Sequence, residues 1–279
     1  QKEFLDEWQL RDLVRRYSDY VSHPIRLRKE PVQAAGDDQT ADRHALPEWE
    51  TINRASALWR RGKSDITDEQ YDELYKHLTH DWERPLARTH FRTEGTNEFT
   101  GLLFLPGKRP LMDSDWGRRR GVRLFVRRVF IMDDCEELLP EWLRFVRGVV
   151  DSDDLPLNVS REVLQDSAIV RGIRKHVVKK TLDLLDELAR DRPADYATFW
   201  QAFGPIFKAG VHLDGEQRDR IGALLRYRTS TSGGEAWVSL KEYVGRMKEG
   251  QEAIYYALGD SEAHLAGSPH LEALSRRGY

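Results

Sequence analysis

The 279-residue chain sets 44 Lys and Arg against 47 Asp and Glu, a net charge of −3, and so lacks the basic excess of a dedicated nucleic-acid binder. The length suits about two domains, and the single cysteine, Cys135, excludes an intramolecular disulfide framework or a multi-cysteine zinc site and points to a reducing, cytoplasmic location. Neither a run of ~18 apolar residues nor a signal-peptide core occurs, so no membrane span and no membrane partner is expected.

The chain opens on Gln and closes on Arg-Arg-Gly-Tyr, which reads as a piece of a longer protein. Residues 8–22 place Leu10, Leu13, Val14 and Tyr17 at helical spacing, and Pro24 ends that helix. Ile25-Arg-Leu27-Arg alternates like a strand whose partners are expected upstream. Residues 29–47 have no apolar period and read as a linker at a domain boundary.

Folded texture resumes at Trp49. Thr67-Asp-Glu-Gln70 is a capping box, with Ile66 set to staple onto Tyr71, so a helix is expected from Asp68 to about His80. Leu86–Pro106 holds two β-rich stretches around Gly95-Thr-Asn97, a hairpin pattern. Val122–Met132 reads as one interior strand, apolar on both faces. Pro140 is placed at a helix start, with Trp142, Leu143, Val146, Val149 and Val150 as the buried stripe of that helix.

A long helix is expected from Ser167 to Arg190. A second carries Tyr196, Phe199, Trp200, Phe203 and Phe207, with a kink at Gly204-Pro205, and a third spans Glu216–Tyr227. After a break at Ser230–Gly234, Ser239-x-x-Glu242 caps a helix, Ala253–Leu258 reads as a strand, and Ser268-Pro269 opens a helix closed by Gly278. Two blocks of alternating strands and helices with helices between them imply α/β layers joined by a helical connector.

Few residues stand out as chemistry. Neither phosphate-cradling glycine motif occurs. His77 and His80 share a helix face without a third ligand, so no metal site is expected. Cys135 lies among Asp133, Asp134, Glu136 and Glu137, a field that disfavours a thiolate. The Asn158-Val-Ser160 sequon has no meaning in a cytosolic protein. No nucleophile–base constellation supports a free-standing hydrolase.

Two segments carry open readings. Lys108, Arg109 and Arg118–Arg120 bracket Leu111, Met112 and Trp116. This is either a solvated loop or an amphipathic contact surface, for which the net charge favours a protein partner over nucleic acid. In 151–165 a loop with Pro156 runs into Ser160, an apparent N-cap, and puts Arg161 in the first helical turn, where the macrodipole repels a cation. Its partner is either a carboxylate, Asp153 or Asp154, or a phosphate whose transferring charge an arginine stabilises.

The segments LPLNVSREVLQ (155–165), RRVFIMDD (127–134), PEWLRFVRGVVDS (140–152), HDWERPL (80–86), RMKEGQEAIYY (246–256) and ALWRRGKSDITDEQY (57–71) resemble the middle domain of the ninety-kilodalton heat-shock chaperone family in its bacterial form. The resemblance covers about 48–279. It implies an α/β architecture: a large α-β-α sandwich (48–191), a helical coil connector (192–229) and a smaller α-β-α unit (230–279). Residues 1–28 look like the end of the family's N-terminal ATPase domain, with 29–47 as its linker.

By the same resemblance, Arg161 contacts the ATP γ-phosphate, with Gln165 and Asn158 supporting the loop. Trp82, Leu111, Met112 and Trp116 are implied to contact clients. The segment itself would be no enzyme and hold no cofactor, whereas the full-length protein, a dimer, would hydrolyse ATP with Mg²⁺. Implied partners are unfolded clients, the protein's own N-terminal ATPase domain and the seventy-kilodalton heat-shock chaperone system. The competing reading, a nucleic-acid-associated α/β module using Arg118–Arg120, predicts binding that weakens steeply with salt.

Overall fold

The computed structural model describes residues 6–29, 48–95, 97–109, 121–158, 164, 167–232, 236–259, 264–265 and 267–279. These fall into two compact units, one drawn from 1–105 and 112–180, the other from 106–111 and 181–279.

In the first unit, α1 (Glu7–Leu13) is opened by Asp6, whose carboxylate accepts from the N–H groups of Trp8 and Gln9. It continues as a π-helical turn, Val14–Ser18, rather than as one helix to residue 22. Leu10, Leu13, Val14 and Tyr17 are not buried; only Tyr20 enters the core. Strand β1 (Arg26–Arg28) pairs antiparallel with β2 (Trp49–Thr51). Its partner among the described residues is therefore downstream, in β2. Asn53 pins the pairing: its Oδ1 accepts from Ile25 N–H, and its Nδ2 donates to the Val21 and His23 carbonyls. All of the expected linker beyond Lys29 lies outside the described residues.

Helix α2 (Asp68–Thr79) starts where the capping box sets it and ends with His80 in the left-handed region. The staple residues Ile66 and Tyr71 are buried in one cluster with Leu74, Tyr75, Leu102, Phe104, Phe125 and Val149. Strands β3 (Ala87–Thr93) and β4 (Phe99–Leu105) form the expected hairpin.

The segment 122–132 folds as two strands, not one. β5 (Val122–Val126) and β6 (Val129–Met132) form a tight antiparallel hairpin. At its turn Arg127 and Arg128 have φ of 50° and 68°. Positive φ at both residues is the pattern of a type I′ turn, whose twist matches that of the strands and which is normally a glycine or asparagine task. Here the ends of the turn are held instead: Arg127 N–H donates to the Ser152 carbonyl, and Arg128 N–H to the Asp151 carboxylate.

The helix expected after Pro140 is likewise corrected. One 3₁₀ turn, Glu141–Leu143, leads into β7 (Arg147–Ser152), so Val149 and Val150 are buried on opposite faces of a strand. β-Branched residues in a run buried on both sides suit a central strand better than a helix stripe. The sheet order is β3-β4-β7-β5-β6, antiparallel except for β5 beside β7. Gly148, with φ of 146°, lets β7 approach β4; a Cβ there would lie 2.1 Å from the Leu102 carbonyl oxygen.

Helix α3 (Ala168–Asp191) covers the sheet face opposite α2, with His176 against Phe91 and Phe99. Helix, sheet and helix make this unit an α-β-α sandwich. Its α/β class is the expected one.

The second unit is built on the C-terminal turns of α3 and on α4 (Pro193–Lys208), which runs through Pro205 and buries Tyr196, Phe199, Phe203 and Phe207. Tyr196 Oη donates to the Leu224 carbonyl at 2.6 Å, tying α4 to the end of α6 (Arg218–Leu224), which follows the short α5 (Gly210–Leu213). Arg220 of α6 pairs with Asp183 and Asp186 of α3. Next, α7 (Leu240–Gly245) carries the Ser239–Glu242 capping box and α8 (Pro269–Arg276) closes before Gly278. Tyr227 and Val238 form an isolated bridge. Residues 253–258 are not a strand: no described segment pairs with them, and Tyr256 and Leu258 stand exposed.

Candidate functional site

The C-terminal end of β7 leads into residues 153–158, and a buried charge cluster fixes that end of the strand. Asp151 is 0% exposed. Its Oδ2 accepts from Trp59 Nε1 at 2.8 Å and Arg60 Nε at 2.7 Å, while Oδ1 accepts from Arg128 N–H at 3.1 Å. The other edge of the Arg60 guanidinium grips Asp153 with two bonds, 2.6 and 2.9 Å. Burial alone would lower the Arg60 pKa, but the hydrogen bonds it donates to Asp151 and Asp153 outweigh it and hold the group above its ordinary value. Ser152 Oγ then accepts from the N–H groups of Asp154 and Leu155, and Asp154 accepts from Glu98 N–H. Leu155 is buried, and the chain emerges into solvent at Pro156, Leu157 and Asn158.

Of the expected loop residues, Asn158 is thus exposed at the exit, whereas Arg161 and Gln165 lie outside the described residues. The carboxylates offered as alternative partners for Arg161 are engaged, Asp153 by Arg60 and Asp154 by Glu98 N–H. Leu111, Met112, Trp116 and Arg118–Arg120 also lie outside the described residues. Arg109, the last described residue before them, donates to the Ala202 carbonyl.

Trp82 is 90% exposed, although the residues around it are well anchored. Asp81 N–H donates to Thr79 Oγ1, the Asp81 carboxylate accepts from Glu83 N–H and Tyr75 Oη, and Arg84 pairs with Asp72 of α2. A large indole displayed on a fixed turn offers apolar contact area at little ordering cost.

The remaining titratable candidates are structural. Cys135 is buried, and burial with the nearby Glu137 pushes its thiol up to about 12, so it is no nucleophile at neutral pH. His90 bridges two groups in the core: Nε2 donates to the Trp59 carbonyl at 2.8 Å and Nδ1 accepts from Tyr71 Oη at 2.9 Å. Burial lowers the pKa of His77 as well, which opposes a charged role. Among the described residues, no three His, Cys, Asp or Glu side chains gather as a metal-ligand set.

The sequence reading missed Trp59, Arg60 and Asp151 as a cluster. A signal was present: Asp151 directly follows the apolar pair Val149-Val150, and an acidic residue completing a two-sided strand needs a buried partner.

Comparison with known proteins decides the family. The profile of the family described as Hsp90 protein matches residues 33–279. The chain belongs to the Hsp90 family. The chaperone protein HtpG of Myxococcus xanthus (strain DK1622) is 62% identical over 279 residues, covering 100% of this chain and 42% of that protein. HtpG of Bordetella avium (strain 197N) is 52% identical over 278 residues, 99% of this chain and 43% of that protein. HtpG of Geobacter sulfurreducens is 47% identical over 283 residues, 100% of this chain and 44% of that protein. The chain therefore spans less than half the length of these Hsp90 relatives.

One expectation about this Hsp90 chain is corrected. The expectation of a middle segment lending Arg161 to a separate N-terminal ATPase domain is not borne out by the comparisons, which cover 42–44% of the relatives' length. The matches likewise give no support to the expectation that this segment alone is not an enzyme. No helix among the described residues is long and apolar enough to cross a membrane.

Proposed function

We propose that this chain forms part of an ATP-dependent, cytoplasmic Hsp90-family chaperone and presents apolar surface to non-native polypeptides. The observation that carries the reading is Trp82, 90% exposed on a turn fixed by α2. A chaperone must keep such area accessible, because clients share exposed apolar side chains rather than a sequence. The name shared by the relatives, chaperone protein HtpG, supports it. Leu111, Met112 and Trp116 are proposed as further client contacts, and the seventy-kilodalton chaperone system as a partner that delivers clients.

For nucleotide, Arg161 is proposed to meet the ATP γ-phosphate, with Asn158 and Gln165 shaping the loop and Mg²⁺ accompanying the nucleotide. No described residue set holds the ion by itself.

Two measurements on the full-length chaperone test these roles. Trp82→Ala is expected to weaken binding of a reduced, carboxymethylated protein by about 1–2 kcal/mol, a factor of 5–30, without lowering the melting temperature. Unchanged affinity removes Trp82 from the client surface. Arg161→Ala is expected to slow ATP turnover by about tenfold or more with nucleotide affinity nearly constant. Unchanged turnover removes Arg161 from the phosphate.

A further inference from the structure

We infer that residues 6–29 form a strap that opens and closes on β2 and the α-β-α sandwich as one unit, with Asp19 and Tyr20 as its latch. This motion needs neither the client contacts nor the nucleotide contact proposed above.

Of residues 6–29, only Asp19 and Tyr20 are buried. Tyr20 sets its ring at a steep angle against Trp59 and Phe125, with centroids 4.6 and 5.7 Å away. The Asp19 carboxylate accepts from Arg54 N–H at 2.9 Å and pairs with Arg54 Nε at 3.4 Å, while the Asp19 carbonyl accepts from Ala55 N–H at 3.0 Å. Asn53 gathers the following residues, accepting from Ile25 N–H and donating to the Val21 and His23 carbonyls. The rest of the attachment is superficial. It comprises the three-residue pairing of β1 with β2, the Tyr17 ring on Phe130, and the ion pairs of Arg11 with Glu50 and Lys29 with Glu48.

Three features make this closure reversible. A ladder of two three-residue strands is marginal by itself, and α1 buries no residue that would reinforce it. Tyr20 Oη is buried without a hydrogen-bond partner among the described residues, while Arg54 Nε goes to Asp19. An unsatisfied buried hydroxyl costs free energy in the closed state, and opening hydrates it. Ala55 holds a φ of 53°, a left-handed conformation unfavourable for alanine, and its N–H is bonded to Asp19, so opening also releases that strain. By contrast, β4 is buried along its whole length. A segment with two buried residues, tied mainly by surface bonds, opens at lower free energy than the sheet beneath it.

The test is native-state hydrogen exchange of the full-length chaperone in low urea. It follows the amides of Ile25, Ile52, Arg54 and Ala55, which the closed strap protects, beside those of β4 and β7. The strap amides are expected to exchange at least about tenfold faster than β4 and β7, with a weaker dependence on urea, because opening exposes little surface. Equal rates and equal urea slopes in the two groups overturn the strap, since residues 6–29 then leave only when the whole unit unfolds. Two variants test the latch from opposite sides. Tyr20→Phe keeps the ring and removes the unpaired hydroxyl, so the strap amides should slow by about fivefold or more. Asn53→Ala leaves the aromatic contacts in place and removes three bonds, so the Arg54 and Ala55 amides should exchange about fivefold faster or more. Strap amides that fail to slow in Tyr20→Phe remove Tyr20 as the latch. Arg54 and Ala55 amides unchanged in Asn53→Ala show that residues 6–29 do not move as one unit, which overturns the inference.

Discussion

The indole N–H of Trp59 donates to the buried carboxylate of Asp151 at 2.8 Å, joining positions 92 residues apart in the chain. The same carboxylate oxygen is shared with Arg60 Nε. Trp59 is itself buried, its ring against Tyr20 and Phe125. Trp59→Phe keeps most of the apolar contact but removes the donor, and a buried acceptor left short of a partner costs about 1–3 kcal/mol. Urea unfolding of the purified chain should show a lower midpoint at an unchanged slope. An unchanged midpoint would mean that Arg60 and Arg128 N–H satisfy Asp151 without help.

His90 gives the fold a pH dependence of definite sign. Burial depresses its pKa below the usual 6.5, partly offset by the Trp59 carbonyl that accepts from Nε2. The unfolded chain therefore binds the proton more readily than the folded one. Stability should be flat above the unfolded value of about 6.5 and fall as pH drops below it. His77 shifts the same way through burial and adds to the effect. Melting temperature from pH 8 to pH 5 should decline less steeply in His90→Gln than in the parent. A parallel decline in both would assign the effect to His77 and the carboxylates alone.

Gly148 is the position where the sheet tolerates least. A Cβ would meet the Leu102 carbonyl oxygen at 2.1 Å, and a φ of 146° strains any other residue. Gly148→Ala should destabilise by about 3 kcal/mol or more, since central β7 and β4 must separate. Gly95 has positive φ too, at 122°, but nothing within 4 Å of its Cβ position, so Gly95→Ala pays only the backbone strain, about 1–2 kcal/mol. Comparable losses in the two variants would show that φ, not the close approach, sets the cost.

What could be read in the sequence was local. The Thr67–Gln70 and Ser239–Glu242 capping boxes place α2 and α7 because a cap is a bond between neighbours, written within four residues. The β3–β4 hairpin and the 24-residue helix α3 follow from the same short-range logic of turn residues and apolar period. The family, too, was legible, because its motifs are contiguous strings.

Tertiary structure decided the rest. Val146, Val149 and Val150 suit a helix stripe as well as a strand, and only the vacant place between β4 and β5 makes 147–152 a strand. The turn at Arg127-Arg128 carries no glycine signal, since its strained φ values are held from outside by Ser152 and Asp151. Residues 253–258 have a strand's alternation without a described partner, and a strand is defined by its partner. The site divides in the same way: Trp82 and the 155–165 motif announce themselves in sequence, whereas Arg60 becomes meaningful only when folding sets it between Asp151 and Asp153, because ion pairing depends on distance in space and not along the chain.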